Sequence, residues 1–448
     1  MIVLLLSTYE LGRQPFGLAS PAALLREGGH EVRMADLAVE PLPEHWVRQA
    51  GLIAFHLPMH TATRLASPLI ARVRRLNPKA HVCCYGLYAT LNAGYLCELG
   101  VQTCIAGEFE NALGELARRL QENGPAITSP LVRLDRIRFR KPAREGLPDL
   151  SRYAALVWDE DTRITGYTEA SRGCKHLCRH CPVVPVYQGR FRAVPLEIVM
   201  ADLRQQIEAG ASHITFGDPD FLNGPAHARR VLEAFHAEFA GATYDVTVKI
   251  GHLLQHRAML PLLKRTGCAF VTSAVESVDD EVLCRLEKGH TRADFLAVVG
   301  LFREQGLTLS PTFIPFTPWT TWEGYRDLLR LLVDLDLVEN VAPVQLALRL
   351  LITAGSRLLE LGEIRAIAGE FDRTALVYRW RHADPSLDRL AAGLLKLVDA
   401  EQKQGRTRRE IFRSIWAASC SGPEWELPDD VGLVPRAAIP YLNEPWYC

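Results

Sequence analysis

Several features that would assign this chain to a particular class of protein are missing from it. The sequence has no run of about 18 apolar residues, the length that a membrane-spanning helix needs, so we expect no membrane partner. Its 51 Lys and Arg are balanced by 52 Asp and Glu, and without a basic surplus we expect no nucleic-acid partner. The apolar start, MIVLLLSTYELG, lacks the basic residues and the cleavage site of a signal peptide. These absences predict a cytoplasmic protein.

The length and the hydrophobic pattern predict more than one domain. A chain of 448 residues is too long for one ordinary hydrophobic core. Residues 1–123 alternate continuous apolar strands with amphipathic helices, which is typical of a doubly wound parallel sheet covered on both faces. Ligands of such sheets bind at the carboxyl ends of the strands, and here those ends carry Ser7, His56 and Tyr85.

The rest of the chain divides into three further parts, which complete an α/β fold. Residues 124–160 hold several prolines and the charged run RLDRIRFRKPARE, which predicts a linker. Residues 161–353 contain further strand–helix units, of which PVQLALRLL is the last strand, and predict a partial or full (β/α) barrel. Residues 354–448 predict a helical region that ends in an extended tail.

Three of the eleven cysteines lie within eight residues. Cys174, Cys178 and Cys181, in ASRGCKHLCRHCP, follow the spacing C-x3-C-x2-C. In a reducing cytoplasm, clustered cysteines more often bind metal than form disulfides. Zinc usually takes four protein ligands, or three and an open position, whereas a [4Fe–4S] cluster held by three thiolates keeps one iron open for a small molecule. The spacing favours the cluster, with zinc as the alternative.

This cysteine motif, placed after the first strand of an α/β barrel, resembles that of the radical S-adenosylmethionine (radical SAM) superfamily. The resemblance covers about residues 162–352 and implies a transferase-type enzyme in which the open iron binds SAM. One electron from the cluster then breaks a carbon–sulfur bond and leaves a carbon radical. The resemblance places His180 near the adenine of SAM. It also implies a small-molecule substrate and a one-electron donor such as a flavodoxin or a ferredoxin.

Other positions match the superfamily's SAM contacts less closely. Asp218, in FGDPD, stands where related proteins have Gly-Gly-Glu, and Glu276 ends the fourth strand. Arg349 interrupts an apolar run, and a buried guanidinium needs an anion, either the SAM carboxylate or a protein carboxylate. Lys249 and His252, after the third strand, are candidates for contact with substrate or for pairing within the protein.

The N-terminal domain resembles that of the cobalamin-binding radical SAM proteins. The segments CCYGLYAT and IAGEFENAL are similar to the last strands of that domain, and the resemblance places His56 and Tyr85 near a corrin. The signature Asp-x-His-x-x-Gly is absent, and the bulky Tyr85 would crowd a nucleotide tail. The alternative is a domain that keeps the fold without cobalamin and covers the mouth of the barrel.

The end of the chain, YLNEPWYC, resembles the tail of a radical SAM subgroup that ends in Cys-Cys-Ala-Glu-Pro or Cys-selenocysteine-Ala-Glu-Pro. Only the first cysteine of that tail, Cys448, is present, either because the chain ends there or because a selenocysteine codon follows. The related arsinothricin-biosynthesis enzymes transfer the 3-amino-3-carboxypropyl group of SAM. By this resemblance, Cys448 with Cys420 would hold arsenic or selenium as the acceptor.

Three hypotheses for the function follow. The first is transfer of a SAM-derived group to a thiol-held soft element. The second is cobalamin-dependent methyl transfer to an unreactive carbon. The third is a non-catalytic scaffold stabilised by a metal or a cluster.

Overall fold

The computed structural model describes residues 1–127, 129–420, 427 and 439–443. Its N-terminal part contains a parallel sheet of six strands in the order β2-β1-β3-β4-β5-β6. Chain order reverses between β1 and β3, as in doubly wound sheets. The strands are β1 (Ile2–Ser7), β2 (Glu31–Asp36), β3 (Leu52–His56), β4 (His81–Tyr85), β5 (Thr103–Gly107) and β6 (Leu131–Arg133).

Helices cover both faces of this sheet, which confirms the predicted fold. Val3 and Leu5 of β1 pack in one hydrophobic cluster, and Leu4 and Leu6 pack in another on the opposite face, because successive side chains of a strand alternate. A continuous apolar run therefore suits a strand that is buried on both sides. The helices are α1 (Phe16–Glu27), α2 (Glu44–Gln49), α3 (His60–Leu76), α4 (Leu87–Leu91), α5 (Ala93–Glu98) and α6 (Phe109–Gln121).

The second sheet is an open half-barrel of seven strands in the order β14-β13-β12-β11-β8-β7-β17. The five strands from β14 to β8 are parallel, and the last two are antiparallel to their neighbours. A separate hairpin joins β9 and β10. The strands are β7 (Ala155–Trp158), β8 (Asp161–Thr168), β9 (Ser171–Gly173), β10 (Phe191–Ala193), β11 (His213–Phe216), β12 (Thr243–Thr247), β13 (Cys268–Glu276), β14 (Leu309–Phe313) and β17 (Tyr441–Leu442).

Helices pack around this sheet and continue into the C-terminal region. Those between the barrel strands are α7 (Val183–Tyr187), α8 (Leu196–Glu208), α9 (Pro225–Glu238), α10 (Ile250–Gln255), α11 (Leu260–Arg265), α12 (Asp280–Arg285), α13 (Arg292–Gln305) and α14 (Trp322–Asp334). The C-terminal region adds α15 (Gly362–Ile367), the short hairpin β15 (Phe371–Asp372) and β16 (Val377–Tyr378), α16 (Pro385–Lys403) and α17 (Arg408–Ser419).

The prediction that PVQLALRLL forms a strand is wrong. Pro343–Leu346 form a 3-10 helix, and Arg349 makes only an isolated bridge to Phe316. Pro343 has no N–H to donate to a neighbouring strand. At the free edge of β14, the side chain of Gln345 accepts a hydrogen bond from the backbone N–H of Phe313 (3.2 Å) instead of a strand carbonyl.

The predicted linker is shorter than residues 124–160. Its residues 131–133 pair with β5, and residues 155–158 pair with β8. Between them, Arg144 forms a buried two-pronged ion pair with Asp202 of α8, through N–O distances of 2.7 and 2.8 Å. Arg144 also donates to Gln14 (2.7 Å). One side chain therefore ties this segment to the β1–α1 loop of the N-terminal domain and to α8 of the barrel.

Within the described ranges, no helix combines the length and the apolar character that crossing a lipid bilayer requires.

Candidate active site

The cysteine segment begins at the carboxyl end of the first parallel barrel strand. After β8 ends at Thr168, the short strand β9 leads through Gly173 into Cys174. Gly173 has φ +71°, and a Cβ there would lie 2.3 Å from the carbonyl oxygen of Arg190. A residue with a side chain does not fit this turn. Gly173 thus sets the direction in which the cysteine loop leaves the hairpin.

The three cysteines have the environment of metal ligands. All are free thiols, with Cys174 and Cys178 buried and Cys181 half-buried. Burial raises the pKa of Cys174 and raises that of Cys181 to about 12. Buried thiolates need a positive partner, and the Lys249 ammonium lies 3.5 Å from the sulfur of Cys178. Lys288 is a second buried cation close to Cys178 and Cys181. Three such thiols with two lysines fit an iron–sulfur cluster.

His180 and Glu276, two of the predicted SAM contacts, are hydrogen-bonded to each other. His180 Nε2 lies 3.1 Å from Glu276 Oε1, and the same oxygen accepts from Lys288 Nζ (3.2 Å). Burial alone would raise the pKa of Glu276, but Lys288 and His180 hold it far below its usual range. Glu276 also has φ +67°, a costly backbone conformation for this residue type that is typical of functional positions. A carboxylate is thus fixed beside the cysteine loop.

Asp218 fixes the start of β9, the strand that leads into the cysteine loop. One of its oxygens accepts from the backbone N–H of Ala170 (2.9 Å), and the other accepts from the hydroxyl of Ser171. Burial raises the pKa of Asp218 to about 7. This carboxylate therefore has a structural role beside β9, and its predicted contact with SAM stays a prediction.

We expect the stability of the cluster-free protein to fall between about pH 4 and pH 7 because of Asp218. Burial raises its pKa from the ordinary 3.8 to about 7 on folding, so the folded state binds more protons in this interval and stability decreases as pH rises. Asp218→Asn removes this titration. Urea unfolding at several pH values should show a flatter pH dependence for the variant. An unchanged slope would contradict the assignment.

Two predicted site residues lie elsewhere. Arg349 donates to Asp388 (2.6 Å) and to the carbonyl of Trp380 (2.7 Å). Its guanidinium carbon lies 3.6 Å from the centroid of the Trp380 ring. The structure shows Arg349 in a protein ion pair, the alternative that the sequence left open, and its predicted contact with SAM stays a prediction. Cys420 lies in the hydrophobic core of the barrel, where burial raises its pKa, so it is not placed as an exposed thiolate nucleophile. Cys448 lies outside the described residues.

A buried ion-pair network joins the N-terminal domain to the strand before the cysteines. Arg172 of β9 lies 2.7 Å from Glu110 and 3.3 Å from Glu108, both at the start of α6. It also lies 2.7 Å from Glu169 and donates to the hydroxyl of Ser20 on α1 (3.2 Å). Burial raises the pKa of Glu108 to about 7. The network anchors the N-terminal domain against the cysteine segment.

Two neighbouring cavities lie at this junction. The first, about 230 Å³, is bounded by the strand ends of the N-terminal sheet and by Tyr167, Glu169 and Arg172. The second, about 250 Å³, lies inside the half-barrel. Its wall includes the polar side chains of Thr215, Asp218, Asp245, Thr272, Ser310 and Gln345. Leu11 and Arg13, from the loop after β1, line both cavities.

The N-terminal sheet edge does not fit a cobalamin. His56 and Tyr85 both lie there, but they fill the edge. Tyr85 is fully buried and donates its hydroxyl proton to the carbonyl of Gly17 (2.8 Å). The His56 ring lies so close to Gly17 that a Cβ there would be 2.0 Å from it. The remaining cavity, about 230 Å³, is smaller than the roughly 300–1,000 Å³ of ordinary small-molecule pockets. The structure thus shows no corrin-sized space at this edge, and the corrin contacts of His56 and Tyr85 stay predictions.

Comparison with known proteins agrees with the cysteine motif. Residues 168–332 match the sequence profile of the radical SAM superfamily. The hopanoid C-3 methylase of Methylococcus capsulatus is 23% identical over 452 residues, which span 93% of this chain and 85% of that protein. Residues 168–332 are thus a radical SAM domain, and the chain is a radical SAM enzyme that uses a [4Fe–4S] cluster and SAM.

Solved structures show that the likeness in fold extends over both domains. The methyltransferase TsrM of Kitasatospora setae, bound to tryptophan and a SAM analogue, is 19% identical with a TM-score of 0.61, covering 75% of this chain and 71% of that one. OxsB, a cobalamin-dependent enzyme bound to aqua-cobalamin and SAM, is 13% identical with a TM-score of 0.68, covering 95% and 69%. These likenesses establish the architecture: a doubly wound domain placed over a radical SAM half-barrel.

Sequence reasoning missed two cations at the site. Arg172 stands within the quoted cysteine segment, and Lys288 precedes Gly289 in LEKGH. Neither belongs to an apolar run whose interruption would mark it as buried. Their partners Glu110 and Glu276 lie 62 and 12 positions away in sequence, as the contacts show. A signal for Lys288 was its place close after Glu276, a carboxylate already predicted at a strand end.

Proposed function

We propose that this enzyme forms a carbon radical from SAM at a cluster held by Cys174, Cys178 and Cys181, and uses it on a small polar molecule in the barrel cavity. When bound, such a cluster supplies one electron to SAM and thereby breaks a carbon–sulfur bond. A one-electron donor such as a flavodoxin or a ferredoxin is part of this proposal. The exposed side chain of Leu177, between Cys174 and Cys178, marks where the cysteine loop meets solvent.

The polar lining of the half-barrel cavity is the observation that carries this proposal. Thr215 donates to Asp245 (2.6 Å), and His213 lies 2.9 Å from the same carboxylate oxygen. Asp245 is therefore held in one orientation with its carboxylate on the cavity wall. A fixed carboxylate among hydroxyl and amide groups suits a ligand with several hydrogen-bonding groups. The volume of about 250 Å³ limits that ligand to a small molecule.

In this proposal, the walls of the half-barrel cavity limit the access of bulk water to the reaction. β17 and the start of α17 supply Tyr441 and Arg408 to the half-barrel cavity, and the guanidinium of Arg408 lies 4.3 Å from the centroid of the Tyr441 ring. The β1–α1 loop supplies Leu11 and Arg13 on the other side. Excluding water protects a reactive carbon centre from side reactions.

Mass spectrometry of the SAM fragments tests this proposal. Anaerobically reconstituted enzyme is mixed with SAM and a strong reductant. We expect 5'-deoxyadenosine as the product. The control is Cys284→Ser, which removes an exposed cysteine outside the motif and should give the same product. No SAM fragment from protein that carries a full cluster would contradict the enzyme proposal and support the scaffold hypothesis.

Methyl transfer is the second candidate function, favoured by the name of the hopanoid C-3 methylase, which matches nearly the whole chain. In the cobalamin-dependent form of this reaction the protein must carry a corrin. Since His56 and Tyr85 fill the sheet edge, we expect the protein, expressed with cobalamin in the medium, to show no corrin absorbance after purification. About one corrin per chain would contradict our interpretation of this edge and support cobalamin-dependent methyl transfer.

Transfer of the aminocarboxypropyl group to arsenic or selenium rests on the resemblance of the tail alone. Cys420, one of its two proposed thiols, lies in the hydrophobic core, and Cys448 lies outside the described residues. The described structure therefore does not support this reaction. In the mass-spectrometric assay, methylthioadenosine in place of 5'-deoxyadenosine would favour it, and Cys448→Ser would be the next variant to measure.

A further inference from the structure

Three potential metal ligands from separate segments meet beside the cysteine loop. His176 lies within the loop, Asp220 follows β11, and His252 lies in the first turn of α10. Asp220 Oδ2 is 2.7 Å from His252 Nδ1 and 3.4 Å from His176 Nε2. The three ligand atoms all lie within 4.8 Å of one another. Two imidazoles and one carboxylate thus converge on one point.

Within the described residues, these buried atoms are paired only with one another. The side chain of Asp220 is 0% exposed, and its Oδ2 faces the two imidazole nitrogens at 2.7 and 3.4 Å. No further donor or acceptor reaches Asp220 Oδ2, His176 Nε2 or His252 Nδ1. The other oxygen of Asp220 is satisfied by the backbone N–H of Leu222 (3.1 Å). A buried carboxylate is costly without a positive charge beside it, and a cation at the point where the three ligand atoms converge would supply that charge.

We propose that His176, Asp220 and His252 bind a divalent transition-metal ion, distinct from the iron–sulfur cluster. Two His nitrogens and one carboxylate oxygen are a ligand set for Zn²⁺ or Fe²⁺, with water in the remaining positions. The donors of this set are nitrogen and oxygen, whereas the cluster motif supplies only sulfur. The His176 side chain is 28% exposed, which leaves a route from solvent to the site.

The ion would hold the cysteine loop against the barrel. His176 stands between Cys174 and Cys178 in the loop, whereas Asp220 and His252 follow adjacent parallel strands. A metal bound by all three fixes the loop to the strand ends at a single point. The site depends neither on SAM nor on an electron donor, so it is independent of the proposed reaction.

Binding of Co²⁺ tests this site, because its absorption reports nitrogen and oxygen ligands. The first protein is the variant in which Cys174, Cys178 and Cys181 are replaced by serine, so that no motif thiolate competes for the metal. We expect it to bind about one Co²⁺ per chain, and His252→Gln in that background to weaken binding more than about 100-fold, since even outer-shell changes cost about 10–100-fold. His256→Gln is the matched control, because the His256 ring packs on that of His252 (5.5 Å) without belonging to the three.

The zinc content of the full protein with its reconstituted cluster gives a second measurement, which does not depend on folding of the triple-serine variant. We expect about one Zn²⁺ per chain after growth with zinc, and its loss from Asp220→Asn and His252→Gln but not from His256→Gln. Equal zinc and cobalt binding in all variants would overturn the proposal. A second result would also overturn it: neither the parent protein nor any variant binds either metal, and Asp220→Asn melts at a lower temperature. The three residues would then form only an ion pair.

Discussion

Arg172→Met lowers the free energy of unfolding by about 3–5 kcal/mol, the usual loss when one partner of a buried ion pair is removed. Arg172 is 6% exposed and faces Glu108, Glu110 and Glu169. Methionine fills part of the volume and leaves these carboxylates buried without their cation. Urea unfolding of the cluster-free protein at neutral pH measures the loss.

A surface arginine provides the control for this variant. Arg26 forms an ion pair with Glu145 at 3.2 Å, and both side chains are at least one-third exposed. Arg26→Met should cost no more than about 1 kcal/mol, as exposed pairs do. If Arg172→Met cost as little as Arg26→Met, the network would not anchor the N-terminal domain as we infer.

Cys178→Ser abolishes cluster assembly and SAM cleavage. Thiolates hold iron–sulfur clusters, and Cys178 is the buried thiol whose sulfur lies 3.5 Å from Lys249 Nζ. A serine hydroxyl is a harder ligand and stays protonated at neutral pH, so we expect the iron content to fall from about four ions per chain to near zero. Iron analysis after anaerobic reconstitution measures this change.

Cys97 and Cys284 supply matched controls, because both are free and exposed. Serine at either position should leave the iron content and the SAM fragments unchanged. Full iron content in Cys178→Ser, or equal loss of iron in Cys284→Ser, would show that the cluster is not held by the C-x3-C-x2-C motif.

Local patterns were sufficient to predict most of the fold. The run Leu4, Leu5 and Leu6 is apolar on both faces of β1, and the structure buries it on both faces. Thr407 and Glu410 have the spacing of a capping box, which is a local signal for the start of a helix, and the structure has that capping box at the start of α17. These features depend on residues close in sequence, where strand and helix periods and caps act.

Features that depend on distant residues escaped sequence reasoning. Arg349 interrupts an apolar run, and the run alone does not distinguish a SAM carboxylate from Asp388, which the helix α16 brings within 2.6 Å. The 3-10 helix at Pro343–Leu346 likewise has the composition of a strand. Whether such a segment pairs with β14 is decided by how it packs at the edge of that strand, which the local sequence does not show. In both cases the tertiary arrangement decides between local alternatives.

The candidate site shows the same division. The spacing of the three cysteines predicted the superfamily to which residues 168–332 correspond. His176 meets Asp220 and His252 because the ends of β11 and β12 are adjacent and the cysteine loop lies over them. The sequence pattern did not predict that the loop lies there. The hydrogen bond from Tyr85 to the carbonyl of Gly17 was likewise not foreseen, because it joins residues far apart in sequence.

The electron paramagnetic resonance spectrum of the reduced, reconstituted protein, recorded with and without SAM, tests the central claim most directly. The account predicts a [4Fe–4S] signal from a protein with about four irons per chain, and a change in that signal when SAM binds the open iron. A protein that takes up zinc in place of iron, or a cluster signal that SAM leaves unchanged, would contradict it.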